Sequence, residues 1–270
     1  MQPAPVGREP QTVSGCSPLI VRGSPFTADC SLDGGYMQPT YIEARDLPDA
    51  WFQCIYRIFD DEGVHEYCVD RGSFEGCNRK EFDVIMIHIK YPGTRPLIPD
   101  IPAELGVPTP TSMEYVEDYL QYLMTDSKKQ NELYTYGERL TNPKVVLDGK
   151  EHTLGVNPLQ EVIRIYKENK PGTNQAVMEV GMPQDILLED PPCLRLIDTR
   201  VMNNRLHFIL YFRSWDLWAG FPSNLAAIQL LKEYMCHEIG LEDGSITAIS
   251  KGLHLYEYSF GLALKRLRRV

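Results

Sequence analysis

The stretch from about residue 194 to 250 constrains the fold more than any other part of the chain. Residues 194–200 (LRLIDTR), 206–212 (LHFILYF) and 245–250 (SITAIS) are short runs rich in branched and aromatic side chains, which read as strands. Between the last two, residues 224–239 carry a helical period. Leu225, Ile228, Leu231 and Met235 fall on one face, and Gly240 is placed to stop the helix. Strands separated by a long helix need a sheet with helices laid against it. The spacing therefore predicts an α/β (α+β) chain built on one mixed sheet. Residues 175–180 (QAVMEV) add a further strand.

Upstream, a helix follows Asp46-Leu47-Pro48-Asp49, with Trp51, Cys54, Ile55 and Ile58 on one face. Residues 81–90 (EFDVIMIHIK) read as one mostly buried strand, and Asp70-Arg71-Gly72-Ser73 as a turn or loop. Six prolines between 91 and 111 make that segment an extended connection. Ser112 caps a predicted helix running to about Met124, and Asn157-Pro158 starts another that ends before Pro171. A last helix begins near His254 or shortly after. Residues 1–38 carry Pro3, Pro5, Pro10, Pro18 and Pro25 with little periodicity and read as an irregular arm; 39–270 reads as a single domain.

Charge narrows the partners. Lys and Arg number 27 and Asp and Glu 37, a net charge of −10, which argues against coating DNA, RNA or an anionic membrane. No apolar run approaches a membrane span, and the polar, Pro-rich start is not a signal peptide, so a reducing cytoplasmic setting is expected. The seven cysteines are odd in number, irregularly spaced and without a CxxC pair. That disfavours a disulfide framework or a zinc site and leaves one question, whether one of them is a nucleophile.

Pro191-Pro192-Cys193 is the segment that answers it, because two prolines fix the backbone just before a thiol at the start of a strand. A cysteine there is ordinarily a core residue. Its company downstream raises it: Arg213-Ser214-Trp215-Asp216 packs a guanidinium, a hydroxyl and a carboxylate into four positions at the end of an apolar strand. Arg213 and Ser214 suit a phosphate, and a nearby Arg favours a thiolate. Gly220-Phe221-Pro222-Ser223-Asn224 reads as a loop into the helix, with Ser223 or Asn224 as a cap or Asn224 as a donor–acceptor pair for a planar amide-like ligand. His254 and Tyr256 fall on one side of an extended segment and suit sugar hydroxyls.

In this order and spacing, PPC at 191–193, RSWD at 213–216, GFPSN at 220–224 and HLY at 254–256 resemble the thymidylate synthase family, in its compact archaeal-type branch. Tyr136-Gly137-Glu138-Arg139 and Asp70-Arg71-Gly72 look like two further segments of that family. The resemblance implies a three-layer fold with a large mixed sheet, packed sheet to sheet in a homodimer. It implies a pyrimidine nucleotide monophosphate substrate and 5,10-methylenetetrahydrofolate as donor of both carbon and hydride, with no metal. Cys193 then matches the nucleophile that adds to C6 of the pyrimidine. Arg213 and Ser214 match the phosphate-binding pair, and Arg71 is the candidate for a mobile phosphate arginine. Asp216 matches the carboxylate that orients the folate, Asn224 the amide that reads uracil, and His254 and Tyr256 the groups on the sugar hydroxyl. Tyr136 matches the tyrosine of proton removal at C5, and Glu117 is the candidate for the glutamate that manages protons at O4.

Four positions depart from the family's pattern. Leu194 stands where many members have His, and Phe212 replaces a usual Gln. Asn174-Gln175 takes the place of an Arg-Arg pair that reaches the partner's phosphate, which weakens phosphate binding unless Arg71, Arg139, Arg164 or another Arg compensates. The C-terminal KRLRRV is not the usual tail. Two alternatives stay open on the sequence alone: a pyrimidine nucleotide 5-hydroxymethylase, in which water captures the methylene, and a non-catalytic nucleotide-binding relative.

Overall fold

The computed structural model describes residues 36–70, 74–130, 132–169 and 172–269. From Met37 onward they belong to one compact unit. Most of the expected arm at 1–38 lies outside the described residues; the first strand begins at Pro39.

Six strands form the large sheet in the order β1 (Pro39–Ala44), β4 (Val84–Ile89), β11 (Glu242–Ser250), β9 (Arg205–Phe212), β8 (Leu194–Met202) and β7 (Val177–Glu179). The β1–β4 and β11–β9 pairs are parallel and the others antiparallel, so the sheet is mixed, as the pattern predicts. A smaller sheet runs β10 (Trp215–Asp216), β12 (Leu253–Tyr256), β3 (Asn78–Phe82) and β2 (Val64–Cys68). β5 (Lys144–Leu147) and β6 (Lys150–Thr153) make a separate hairpin.

One expectation fails here. Residues 81–90 are not a single strand but divide at Asp83 between β3 and β4, in different sheets. Asp83 leaves the ladder because its groups are used locally. Its N–H donates to Gly63 O at 2.9 Å, and its carboxylate takes the Gln38 N–H at 2.9 Å and pairs with His65 at 2.6 Å.

The helices are α1 (Leu47–Arg57), α2 (Met113–Met124), α3 (Tyr136–Thr141), α4 (Pro158–Asn169), α5 (Gly220–Ile239) and α6 (Glu257–Arg266). Ser112 and Asn157 cap α2 and α4 with side-chain oxygens, as their positions predict, and Asp46 caps α1 in the same way. The last helix starts at Glu257, and His254 belongs to β12.

The central helix differs from its sequence reading in two ways. It begins at Gly220, so GFPSN is its first turn and not a loop. It is also buried nearly all round, with Phe221, Ala226, Ala227, Gln229, Lys232 and Cys236 inside as well as the expected Leu225, Ile228, Leu231 and Met235. A helix buried on all sides must lie between two layers: α5 touches β9 and β11 of the large sheet and also α2. The inner sheet face supplies Ile42, Ile85, Ile87, Ile197, Phe208, Leu210, Ile246 and Ala248 to this core.

The opposite sheet face is open among the described residues. Tyr41, Met86, Ile249, Tyr211 and Leu196 follow one another across it in register, from β1 to β8. Tyr41 and Met86 are exposed and the other three half-buried. Among the described residues no helix is long and apolar enough to cross a membrane.

Candidate active site

The two sheets meet where the sequence motifs sit. Cys193 stands just before β8 and Arg213 just after β9, and the Arg213 N–H donates to Cys193 O at 2.8 Å. The chain then enters the small sheet. Trp215 N donates to Gly252 O at 2.8 Å, Asp216 and His254 are register partners, and Leu217 N donates to His254 O at 2.7 Å. Backbone pairing thus brings the PPC, RSWD and HLY segments to one place although they are far apart in the chain. Trp51 of α1 braces the turn beneath them, its Nε1–H donating to Leu217 O at 3.0 Å and Trp218 O at 3.2 Å.

A cavity of about 710 Å³ opens there, lined by Cys193, Arg213, Ser214, Asp216, His254 and Tyr256 together with Arg79, Phe74 and Trp215. Six of the residues singled out by the sequence therefore face one space. A hollow of similar size, about 720 Å³, lies on the large sheet's open side around His88, His207 and Asp243, but its described lining includes none of the site residues that the sequence singled out. Chemistry, not volume, separates the two.

The thiol of Cys193 is half-buried. Burial pushes its pKa up; the Arg213 guanidinium works against that and the Asp190 carboxylate adds to it. Arg213 is held by the loop that precedes Cys193, with Nε donating to Pro191 O at 3.1 Å and Nη2 donating to Pro191 O and pairing with Asp190 at 2.8 Å.

His254 is buried, and its Nδ1 lies 2.9 Å from Gly252 O. A carbonyl only accepts, so Nδ1 carries the proton and Nε2 is left as an acceptor. Nε2 is buried without a partner among the described residues. Burial lowers the pKa to about 4, so the ring is neutral near pH 7. A neutral ring with a free acceptor suits a hydroxyl donor. Tyr256 stacks on Phe74 at 4.2 Å between centroids, which fixes its ring beside His254.

Asp216 does more than line the cavity. Its carboxylate accepts from Trp218 N at 3.3 Å, Ala219 N at 2.9 Å and Gly220 N at 2.8 Å, and so caps α5. Neither Ser223 nor Asn224 is that cap; the Ser223 hydroxyl bonds Ala219 O and Thr111. A carboxylate has about four acceptor positions, so three bonds leave Asp216 about one for a ligand.

Asn224 is half-buried on α5 and is not among the residues lining the cavity, but the lining Trp215 Nε1–H donates to its Oδ1 at 3.0 Å. An indole N–H only donates, which settles the amide's orientation and leaves Nδ2 free to donate. Tyr136 stands against the nucleophile's strand and accepts from Leu194 N at 3.2 Å. Burial pushes its phenol well above the ordinary value, and the neighbouring Cys193 adds to the shift.

Two candidates are not brought in. Glu117 is exposed on α2 and lines neither the Cys193 cavity nor the tyrosine hollow described next. Arg71 lies outside the described residues. Of the cations named as compensating, Arg139 is buried against Asp185 at 3.0 Å and Arg164 is paired with Glu161 and Glu168 on the surface of α4.

Sequence reading also missed residues. Arg79 lines the cavity as the cross-strand partner of Tyr256. A row of tyrosines, 115, 119, 122, 136 and 134, is arranged ring to ring at 5.4–6.4 Å around a hollow of about 420 Å³ that shares Tyr136 with the nucleophile's surroundings. Tyr115, Tyr119 and Tyr122 recur at helical spacing on α2, the one signal that points to such a stripe.

Comparison with known proteins shows the family. The family model described as Thymidylate synthase matches residues 118–270, more than half of the chain. The "Putative thymidylate synthase" of Methanosarcina mazei is 29% identical over 221 residues, covering 82% of this chain and 91% of that protein. The protein of the same description from Methanococcoides burtonii is 29% identical over 85% of this chain and 95% of its own. That from Methanothermobacter thermautotrophicus is 27% identical over 81% and 94%.

Proposed function

The chain belongs to the thymidylate synthase family, and from that premise we propose that it converts dUMP to dTMP, with 5,10-methylenetetrahydrofolate giving both the carbon and the hydride. The observation that carries this reading is the convergence of the Cys193 thiol with Arg213, Ser214, Asp216, His254 and Tyr256 on one cavity.

C5 of a uracil ring is a poor nucleophile. Addition of the Cys193 thiolate to C6 moves the ring's electron pair toward C5 and O4, and C5 then attacks the carbon donor. Elimination of the thiolate restores the C5–C6 double bond after C5 has lost its proton and gained its substituent. Arg213 and Ser214 hold the 5′-phosphate, and His254 Nε2 accepts from the sugar hydroxyl beside Tyr256. The Tyr136 phenol, kept neutral by burial and already accepting from Leu194, offers its hydrogen to a water or to the substrate. It handles the C5 proton as part of a relay and not as a phenolate.

Asn224 supports uracil over cytosine. With Oδ1 tied to Trp215, Nδ2 is a donor; O4 of uracil accepts, whereas the amino group of cytosine does not. The tyrosine row next to Cys193 fits the folate's flat rings, which stack on aromatic faces. The remaining acceptor position of Asp216 suits an N–H of the pterin. The open row Tyr41, Met86, Ile249, Tyr211 and Leu196 supports a homodimer, because a five-strand apolar row is otherwise left in water.

The test is a product assay with methylenetetrahydrofolate and, side by side, dUMP, dCMP and CMP. The reading expects dihydrofolate, seen as rising absorbance, and dTMP, with dUMP preferred. Tetrahydrofolate with a 5-hydroxymethyl nucleotide would replace it by the hydroxymethylase, and no product from any nucleotide would overturn it.

A further inference from the structure

We propose that Arg195 supplies, within the same chain, the second cation for the nucleotide's 5′-phosphate. The inference rests on the nucleotide reading of the Cys193 cavity and adds a residue to it.

Arg213 cannot neutralise such a group alone, and Arg79, the other cation among the described residues that line the cavity, is paired with Glu81 at 2.8 Å. A phosphate monoester carries about −1.5 to −2 charges at pH 7, and the Arg213 guanidinium is already shared with Pro191 O and Asp190. Arg213 also stands between two spaces, lining the Cys193 cavity on one side and a hollow of about 490 Å³ on the other. Arg195 lines that second hollow; Glu179, exposed on β7, is the one carboxylate among its described lining residues.

Three features of the backbone place Arg195. Leu194 pairs with Phe212 and Leu196 with Tyr211, so Arg195 is the extra residue of a β-bulge two positions after the nucleophile. A bulge re-aims a side chain. The bulge is tied down from the neighbouring strand, since the N–H groups of Val180 and Gly181 both donate to Arg195 O at 2.9 and 2.8 Å. Its guanidinium then lies across Gly181, where any side chain would collide with it.

The guanidinium is only lightly committed. Among the described residues its one hydrogen bond is to Asp185 Oδ2, at 3.5 Å. Asp185 is better engaged elsewhere, with Arg139 at 3.0 Å and the Met182 N–H at 2.7 Å. Arg139 and Arg195 both face the buried Asp185, so Arg195 keeps N–H donors to spare in the hollow that Arg213 also lines. A phosphate that reaches past Arg213 toward that hollow meets those donors.

The experiment is calorimetric binding of the preferred nucleotide among dUMP, dCMP and CMP, and of its nucleoside, to the wild-type protein and to Arg195→Met and Arg195→Lys. With Arg195 on the phosphate, the Met variant binds the nucleotide roughly 10- to 100-fold more weakly while the nucleoside is unchanged. Lys restores part of the affinity and keeps the salt dependence. If Met weakens nucleotide and nucleoside alike, or leaves both unchanged, Arg195 is structural or idle and the proposal falls while the nucleotide reading stands. If the wild-type protein binds no nucleotide more tightly than its nucleoside, both fall. A folded Arg195→Lys keeps the comparison usable should Met prove unstable.

Discussion

The backbone N–H of Arg213 donates to the carbonyl oxygen of Cys193 at 2.8 Å, so the thiol and the guanidinium are set side by side by strand pairing and not by side-chain chance. Arg213 opposes the burial that raises the Cys193 pKa. Arg213→Gln should therefore raise it further. Iodoacetamide alkylation followed against pH should show its inflection above the ordinary thiol value in the wild-type protein and higher still in the variant. An unchanged inflection would mean that Arg213 does not act on the thiol.

Asp216 joins the site to the stability of the fold through its three backbone bonds at the start of α5. Asp216→Ala should cost about 1–2 kcal/mol as a lost cap, and Asp216→Asn, which keeps one acceptor, less. At about 2–4 °C per kcal/mol for a chain of this size, thermal unfolding resolves the difference. Equal melting temperatures for the wild type and both variants would refute the cap.

His254 gives a pH signature. Its pKa is lowered from 6.5 to about 4 by burial, so the unfolded chain binds a proton there more readily than the folded one. The stability that its neutral form contributes is whole above about pH 6.5 and is lost as pH falls toward 4. Denaturant unfolding of wild type and His254→Asn across that window should show a smaller loss in the variant. Parallel curves would place the histidine's proton elsewhere.

The open sheet face predicts an oligomer. Light scattering should give the wild type a mass near twice 30.8 kDa. Ile249→Arg, in the middle of the apolar row, should return it to the monomer mass, because burying an unpaired charge there is unfavourable. A wild-type protein that is itself monomeric would contradict the proposed homodimer.

Much of this was legible from residue order because the signals were local. Strands with a clear period, caps at Ser112 and Asn157, and the short motifs each declare themselves within a few residues. What was hidden depends on the meeting of distant segments. The break at Asp83 is set by Gln38, Gly63 and His65, and the early start of α5 by a carboxylate four residues upstream of its first turn. The all-round burial of α5 comes from α2 packing on its far side, which no period within α5 reveals. The Asp148-Gly149 turn of the β5–β6 hairpin, with both residues at positive φ, is an ordinary hairpin signal that the sequence reading passed over. Arg195 was invisible because a bulge, not a residue pattern, aims it.

The central claim is that the Cys193 thiolate adds to C6 of the pyrimidine and thereby loosens the C5–H bond. Release of tritium to water from [5-³H]dUMP, in the presence of methylenetetrahydrofolate, measures that step whether the product is methylated or hydroxymethylated. The account predicts steady release by the wild-type protein and none above background by Cys193→Ala that still binds the nucleotide. Release by Cys193→Ala at the wild-type rate would contradict it.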